Sequence, residues 1–278
     1  MHNVMILFLK LCFKNLYRFF TDSHYRFFLW FVLIYSGKSD KKTFKVRLHG
    51  KELIVPHALS FIWQYYEIYA DEFYKFETNR KKPLIIDLGS NIGLSIIYFR
   101  ENYPGAMIYA YEADPDIFNI LEKNLQNRGI MDDNLQLRNK AIWINDEGVY
   151  FNGDGADAGR IIGSEQGEKE EKIATERLKN LLDIVDHVDF LKMDIEGAEV
   201  KVLEDSSDNL SKIDQMFIEY HSFHAEDQKL DTILSILSRT GFRYQIHSPF
   251  RYKRPFFKKT LQTTPEMDLQ INIFAYRQ

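Results

Sequence analysis

From Leu84 onward the chain alternates short apolar runs with amphipathic stretches, almost to its last residue. Leu84-Ile85-Ile86-Asp87 is too short and too uniformly apolar for a surface helix and predicts a strand covered on both sides. Leu94–Asn102 predicts a helix, Met107–Tyr111 a strand, and Pro115–Arg128 a helix whose apolar positions are Ile117, Phe118, Ile120, Leu121 and Leu125. Leu135-Gln136-Leu137 opens a strand expected to run on through Ala141-Ile142. Asp189–Met193 predicts a buried strand, Glu196–Glu204 a helix, and Gln215–Tyr220 a strand. Gln228–Thr240 predicts a helix stopped by Gly241, followed by closing strands at Phe242–Ile246 and Leu269–Tyr276. Strands separated by helices imply an α/β fold: a mostly parallel sheet with helices on both faces. Ligands of such sheets bind beyond the carboxyl ends of the strands.

The first 80 residues read differently. Thr43–Leu48 and Glu52–Val55 alternate with strand period around His49-Gly50, a hairpin signal, and 57–78 carries helical spacing at Ile62, Tyr65, Tyr66, Tyr69 and Phe73. Before the charged linker 38–42 lie two aromatic-rich runs, 4–20 and Phe27–Tyr35. Lys10, Lys14 and Arg18 recur at helical spacing along one face of the first run. Neither run reaches the roughly 18–20 apolar residues a spanning helix needs. The basic residues inside the first run also fit a signal peptide poorly. Two readings stand: an interfacial helix at a lipid surface, or an amphipathic helix packed on this chain or on a second copy, the latter preferred. The organisation expected is therefore 1–37 aromatic helical segment, 38–80 hairpin and helix, and 81–278 α/β domain.

Composition narrows the function classes. Hydrophobic residues make up 45% and charged residues 27%, ordinary for a globular protein, while 22 Phe and 16 Tyr are the unusual feature. A net charge of −4 argues against a nucleic-acid partner, which needs a broad basic face. With Cys12 as the only cysteine, no internal disulfide forms. A cytoplasmic location is expected, with peripheral contact on the cytoplasmic membrane face if the interfacial reading holds.

The chemistry gathers at strand ends. The first core strand runs into Asp87-Leu88-Gly89-Ser90-Asn91-Ile92-Gly93, a glycine turn that lets a backbone approach a ligand at the start of a helix. Its spacing differs from the G-x-G-x-x-G of a pyrophosphate cradle. An aspartate ending the strand repels pyrophosphate but suits an ammonium group, such as that of S-adenosylmethionine. One strand–helix–strand unit later, Glu112-Ala113-Asp114-Pro115 places an acid where ribose hydroxyls are commonly accepted. The third element is Leu191-Lys192-Met193-Asp194-Ile195-Glu196-Gly197-Ala198-Glu199, followed by Phe217-Ile218-Glu219-Tyr220-His221. Asp194, Glu196 and His221 are the catalytic candidates, because a hydroxyl nucleophile must lose its proton to a positioned base or to a metal. Asp194, Glu219 and His221 form a candidate divalent-cation set, such as for magnesium; Glu199 reads as a first-turn helix residue that favours the dipole.

These motifs resemble the FkbM-type methyltransferases over roughly residues 43–277, most specifically in K-x-D-x-E-G-x-E at 192–199. The resemblance implies a class I, Rossmann-like, seven-stranded sheet with an antiparallel last strand, S-adenosylmethionine as donor, and usually O-methylation. Carried over by motif, Asp87, Gly89, Asn91 and Gly93 line the methionine end, Glu112 with Ala113 meets the ribose, and the backbone of Ala141 approaches the adenine. The acceptor expected is a glycan, a lipid-linked saccharide or another small hydroxylated metabolite. Two segments are expected to shape its site: the Gly- and Asp-rich 152–167, and the basic-aromatic Ser248–Lys259, which reads equally as a surface loop or an oligomer contact. The rival readings are a dinucleotide-dependent oxidoreductase and a non-catalytic scaffold that keeps the fold.

Overall fold

The structure, a computed structural model, describes residues 13–35, 43–152, 160–162, 171–224, 226–249 and 267–277. The first half of the 4–20 run, the linker 38–42, most of 152–167 and most of 248–259 lie outside the described residues. The chain divides into two compact units, Met1–Lys75 and Phe76–Gln278.

In the first unit, residues 13–21 are helical and Asp22 breaks the run, its carboxylate accepting the Tyr25 amide (2.9 Å) to cap helix α1, Ser23–Tyr35. Strands β1 (Phe44–Leu48) and β2 (Lys51–Val55) pair around His49-Gly50, both at positive φ, as a two-residue hairpin turn requires. Helix α2 (Ala58–Tyr65) continues as a π-helical turn over Tyr66–Ala70. The helix expected to reach residue 78 therefore stops eight residues early; the backbone turns out of helical space at Glu72, φ 51°. α1 packs on α2 through Phe31, whose ring meets Phe61 at 5.0 Å and Tyr65 at 4.9 Å. For its described part, the aromatic segment thus packs on its own unit.

The second unit holds a seven-stranded sheet. Its strands are β3 (Leu84–Leu88), β4 (Met107–Glu112), β5 (Leu135–Asn139), β11 (Val188–Met193), β12 (Ile213–Phe223), β13 (Arg243–His247) and β14 (Met267–Tyr276). Their order is β13-β14-β12-β11-β3-β4-β5. β14 runs antiparallel to both neighbours, and the pairs from β12 through β5 are parallel. The helices are α3 (Leu94–Asn102), α4 (Pro115–Arg128), α5 (Leu178–Asp183), α6 (Glu199–Asp205) and α7 (Leu230–Arg239). All six residues of β11 are buried, so the sheet is covered on both faces. Phe190 meets Phe99 of α3 at 5.8 Å, whereas Leu191 and Met193 join one apolar cluster with α5, α6 and α7.

Two expected elements differ. The strand from Leu135 breaks at Lys140: β5 stays in the main sheet, while β6 (Ala141–Ile142) pairs with β10 (Thr175–Glu176). The break lets Asn139 turn its amide onto the carbonyls of Glu112 (2.9 Å) and Ala113 (3.1 Å). A small sheet β8-β7-β9 (Arg160–Ile162, Val149–Asn152, Glu171–Ile173) follows. The helix expected from Glu196 begins at Glu199 instead, because Glu196 (φ 54°) and Gly197 (φ 97°) form a left-handed turn.

Candidate functional site

The parallel order reverses direction of growth at β3, with β4 on one side and β11 on the other, and ligand crevices of α/β sheets open at such a point. Gly89 and Ser90 both donate to the Tyr111 carbonyl (2.9 and 2.8 Å), fixing the glycine turn onto β4. Gly89 also passes against β11: a Cβ there would lie 1.8 Å from the Asp194 carbonyl oxygen, at φ 84°. Only glycine satisfies both constraints. Gly93 packs on α4, its missing Cβ 3.2 Å from Leu125.

Glu112 ends β4 buried at the rim. Its two carboxylate oxygens accept the amides of Asn91 (2.8 Å) and Asp114 (2.9 Å). The helix behind is capped by Asp114, which accepts from Asp116 and Ile117, so capping is not what Glu112 is for. Burial raises its pKa to about 7 against the pull of those two amides. A ligand donating hydroxyls to this group would favour its charged form. Ala113 packs beside the small cluster of Ala141, Val149 and Ile173. Ala141 is buried and its amide is committed to the Ala174 carbonyl (2.9 Å).

Register explains the next contacts. Lys192 of β11 is the lateral partner of Asp87 of β3, so the two side chains share a face. The Lys192 ammonium lies 3.8 Å from Asp87 and 3.2 Å from Asp194, and also donates to the carbonyls of Leu88 and Gly89. Asp87 is fully buried; one oxygen accepts the Ser95 hydroxyl (2.6 Å) and the other, Oδ1, accepts no hydrogen bond. Burial raises the Asp87 pKa despite Lys192 and Ser95. Burial works against the Lys192 ammonium, but Asp194 and Asp87 outweigh it and raise its pKa. The cation that the sequence assigned to a ligand at Asp87 is thus, in part, the chain's own.

Glu219 and His221 alternate on the same face of β12, one strand further. The buried His221 ring meets Glu199 through Nδ1 (3.3 Å) and Glu219 through Nε2 (3.3 Å), with Glu196 at 3.8 Å. Glu199 is fully buried and also accepts the amides of Ile195 (3.1 Å) and Gly197 (3.0 and 3.1 Å). Burial disfavours the imidazolium, yet the attraction of Glu196, with hydrogen bonds to Glu199 and Glu219, raises the His221 pKa well above 6.5. Asp194 and Glu196 keep about a quarter of their side chains exposed (26% and 24%), so they face the open edge. Ligand atoms of Asp194, Glu219 and His221 all lie within 4.8 Å of one another.

The residues singled out in the sequence therefore converge, and two that were not join them. Glu199, read from sequence as a first-turn helix residue that favours the dipole, does open that helix and is also the buried partner of His221. The left-handed turn at Glu196-Gly197 swings the first turn of α6 under β12, and nothing in local spacing shows that. Lys192 was legible: a lysine between Leu191 and Met193 in a buried strand demands a buried acid.

The description "Methyltransferase FkbM domain" matches residues 87–244, which run from Asp87 through the β12 cluster and α7 into β13. Similar proteins are methyltransferase sdnD of Sordaria araneosa, 39% identical over 61 residues, 22% of this chain and 24% of that one. Another is methyltransferase 1 of Beauveria bassiana strain ARSEF 2860, 26% identical over 209 residues, 66% of this chain and 81% of that one. Among solved structures, a methyltransferase FkbM from Methylobacillus flagellatus KT aligns with TM-score 0.45 and 18% identity over 70% of this chain and 44% of that one. The M. jannaschii TYW2 structure in complex with AdoMet aligns with TM-score 0.43 and 14% identity over 87% and 89%. The chain thus spans about a quarter of sdnD and less than half of the Methylobacillus protein. With more than half of its length matched, including the glycine turn, Glu112 and the lysine–aspartate–glutamate segment, the chain belongs to the FkbM methyltransferase family.

Proposed function

We propose that this chain transfers a methyl group from S-adenosylmethionine to a hydroxyl of a small metabolite, a glycan or a lipid-linked saccharide. The observation that carries the reading is the buried His221, held between Glu199 and Glu219 beside the open side chains of Asp194 and Glu196. The Oδ1 of Asp87, which accepts no hydrogen bond and has only Lys192 at 3.8 Å, and the raised pKa of Glu112 fit a ligand with an ammonium group and a ribose. When bound, S-adenosylmethionine supplies an electrophilic methyl on a sulfonium. Glu112 and Ala113 orient its ribose, and the turn Gly89–Gly93 receives its methionine end. Neutral His221 accepts the hydroxyl proton at Nε2 as oxygen attacks, the hydroxyl taking the place of the Glu219 contact there, while Glu199 fixes the ring through Nδ1 and stabilises the imidazolium. Asp194 and Glu196 position the hydroxyl. His221 must be neutral to take that proton and its pKa is raised above 6.5, so the rate rises as pH rises through that pKa.

The test is mass spectrometry of hydroxylated acceptors after incubation with methyl-labelled cofactor. Label in a methyl group newly bonded to an acceptor oxygen, lost in His221→Gln with cofactor binding retained, supports the reading. Label on nitrogen, or transfer undiminished in His221→Gln, overturns it. A second reading is favoured by the spacing of Asp194, Glu219 and His221, which would hold a divalent cation that acidifies the hydroxyl. Excess chelator ends turnover in that case and leaves it intact with His221 as base.

A further inference from the structure

The helical residues 13–21 are folded inside out. The residue turned inward is Arg18, whose guanidinium donates to Asp22 (3.1 Å), Asp71 (2.9 Å), the Tyr66 hydroxyl (3.1 Å) and the Ala70 carbonyl (2.7 Å). The residues turned outward are Phe13, Leu16, Tyr17 and Phe20, spaced as one helical face. α1 also turns an apolar face outward, although its inner face is aromatic rather than charged. Its face through Tyr25, Phe28 and Phe31 is buried, while the opposite face shows Phe27, Trp30 and Leu33 to the outside, Leu33 at 83% exposure. Trp63 on α2 is likewise exposed. Single exposed apolar residues are ordinary, but two consecutive helices that both turn an aromatic-rich face outward need an apolar neighbour.

The charges choose that neighbour. Among the described residues of 13–35, the acid Asp22 is spent on Arg18, and the outward charges are the basic Lys14 and Arg26. A second copy on this face would bring like charges together, whereas anionic headgroups complement them. No helix among the described residues is long and apolar enough to cross a membrane. We propose that this face seats the chain on the surface of an anionic bilayer, with Phe20, Phe27 and Leu33 in the acyl boundary and Lys14 and Arg26 among headgroups.

The experiment is flotation of the full chain with vesicles of phosphatidylcholine alone or mixed equally with phosphatidylglycerol. Because α1 forms part of its unit's core, the face is altered by Phe20→Ser, Phe27→Ser and Leu33→Ser rather than by deletion. The chain is expected to float with the anionic vesicles, and the triple variant to lose on the order of a hundredfold in partitioning. Lys14→Glu with Arg26→Glu should abolish the preference for anionic lipid. Quenching of tryptophan emission by brominated lipid in the unaltered chain checks insertion independently of any variant. Absence of both flotation and quenching overturns the proposal. So does a dimer in sedimentation that the triple variant dissolves, if the unaltered chain leaves vesicles unbound.

Discussion

Removing the negative charge of Glu199 should lower the pKa of His221 in a measurable and signed way. The Nδ1–Oε1 contact is 3.3 Å and both groups are buried. A hydrogen bond between such charged partners contributes about 1.5–3 kcal/mol. Glu199→Gln should therefore lower the His221 pKa by removing stabilisation of that order from the imidazolium. Glu196 and Glu219 stay in place and keep it from falling further. The sign carries through to stability. A histidine whose folded pKa is raised stabilises the fold below its unfolded value, and that contribution is lost as pH rises through the folded value. Glu199→Gln therefore weakens the acid-side stabilisation and shifts its loss to lower pH.

Titration of nitrogen-labelled histidines by NMR reads this directly, with the signal assigned by its absence in His221→Gln. In the unaltered chain the transition should fall well above 6.5, and in Glu199→Gln it should shift downward. An unchanged midpoint, or one shifted upward, would refute the pairing of these residues. The pH–rate profile in excess chelator should follow the same midpoint, with a lower limiting rate because the base is weaker.

Three further outcomes follow from the same contacts. Glu112 has a pKa of about 7, so hydroxyl donors that prefer its charged form should bind tighter as pH rises to that value and level off beyond it; calorimetry should show the dependence vanish in Glu112→Gln. Gly89→Ala forces a methyl into the Asp194 carbonyl at positive φ and should cost roughly 3 to 5 kcal/mol in chemical denaturation. Lys192→Met leaves Asp87 and Asp194 without their cation and should cost about 3–5 kcal/mol at neutral pH, with a smaller loss in acid as Asp87 takes up a proton; equal loss at both pH values would show that the pairing contributes little.

Periodicity made the sheet legible because parallel strands buried on both faces leave mostly apolar runs without alternation, such as Leu84-Ile85-Ile86 in β3 and Phe190-Leu191 in β11. The glycine turn and Glu112 were legible because their positions at strand ends fix where they go. Three features were not. The break at Lys140 depends on Asn139 reaching carbonyls in another strand. The late start of α6 depends on Glu196 adopting positive φ, which a glutamate rarely does and which its own sequence does not announce. The burial of Glu199 follows from that turn. The inward Arg18 illustrates the same limit: its partner Asp71 lies far along the chain, so helical spacing alone only grouped it with Lys10 and Lys14 on one face.

The central claim is that the edge from Asp87 to Glu112 receives S-adenosylmethionine. Isothermal calorimetry of the full chain against S-adenosylmethionine and against NAD tests it most directly. Saturable binding of S-adenosylmethionine with proton release below about pH 7, and none of NAD, is the predicted result. Binding of NAD in preference to S-adenosylmethionine would contradict it.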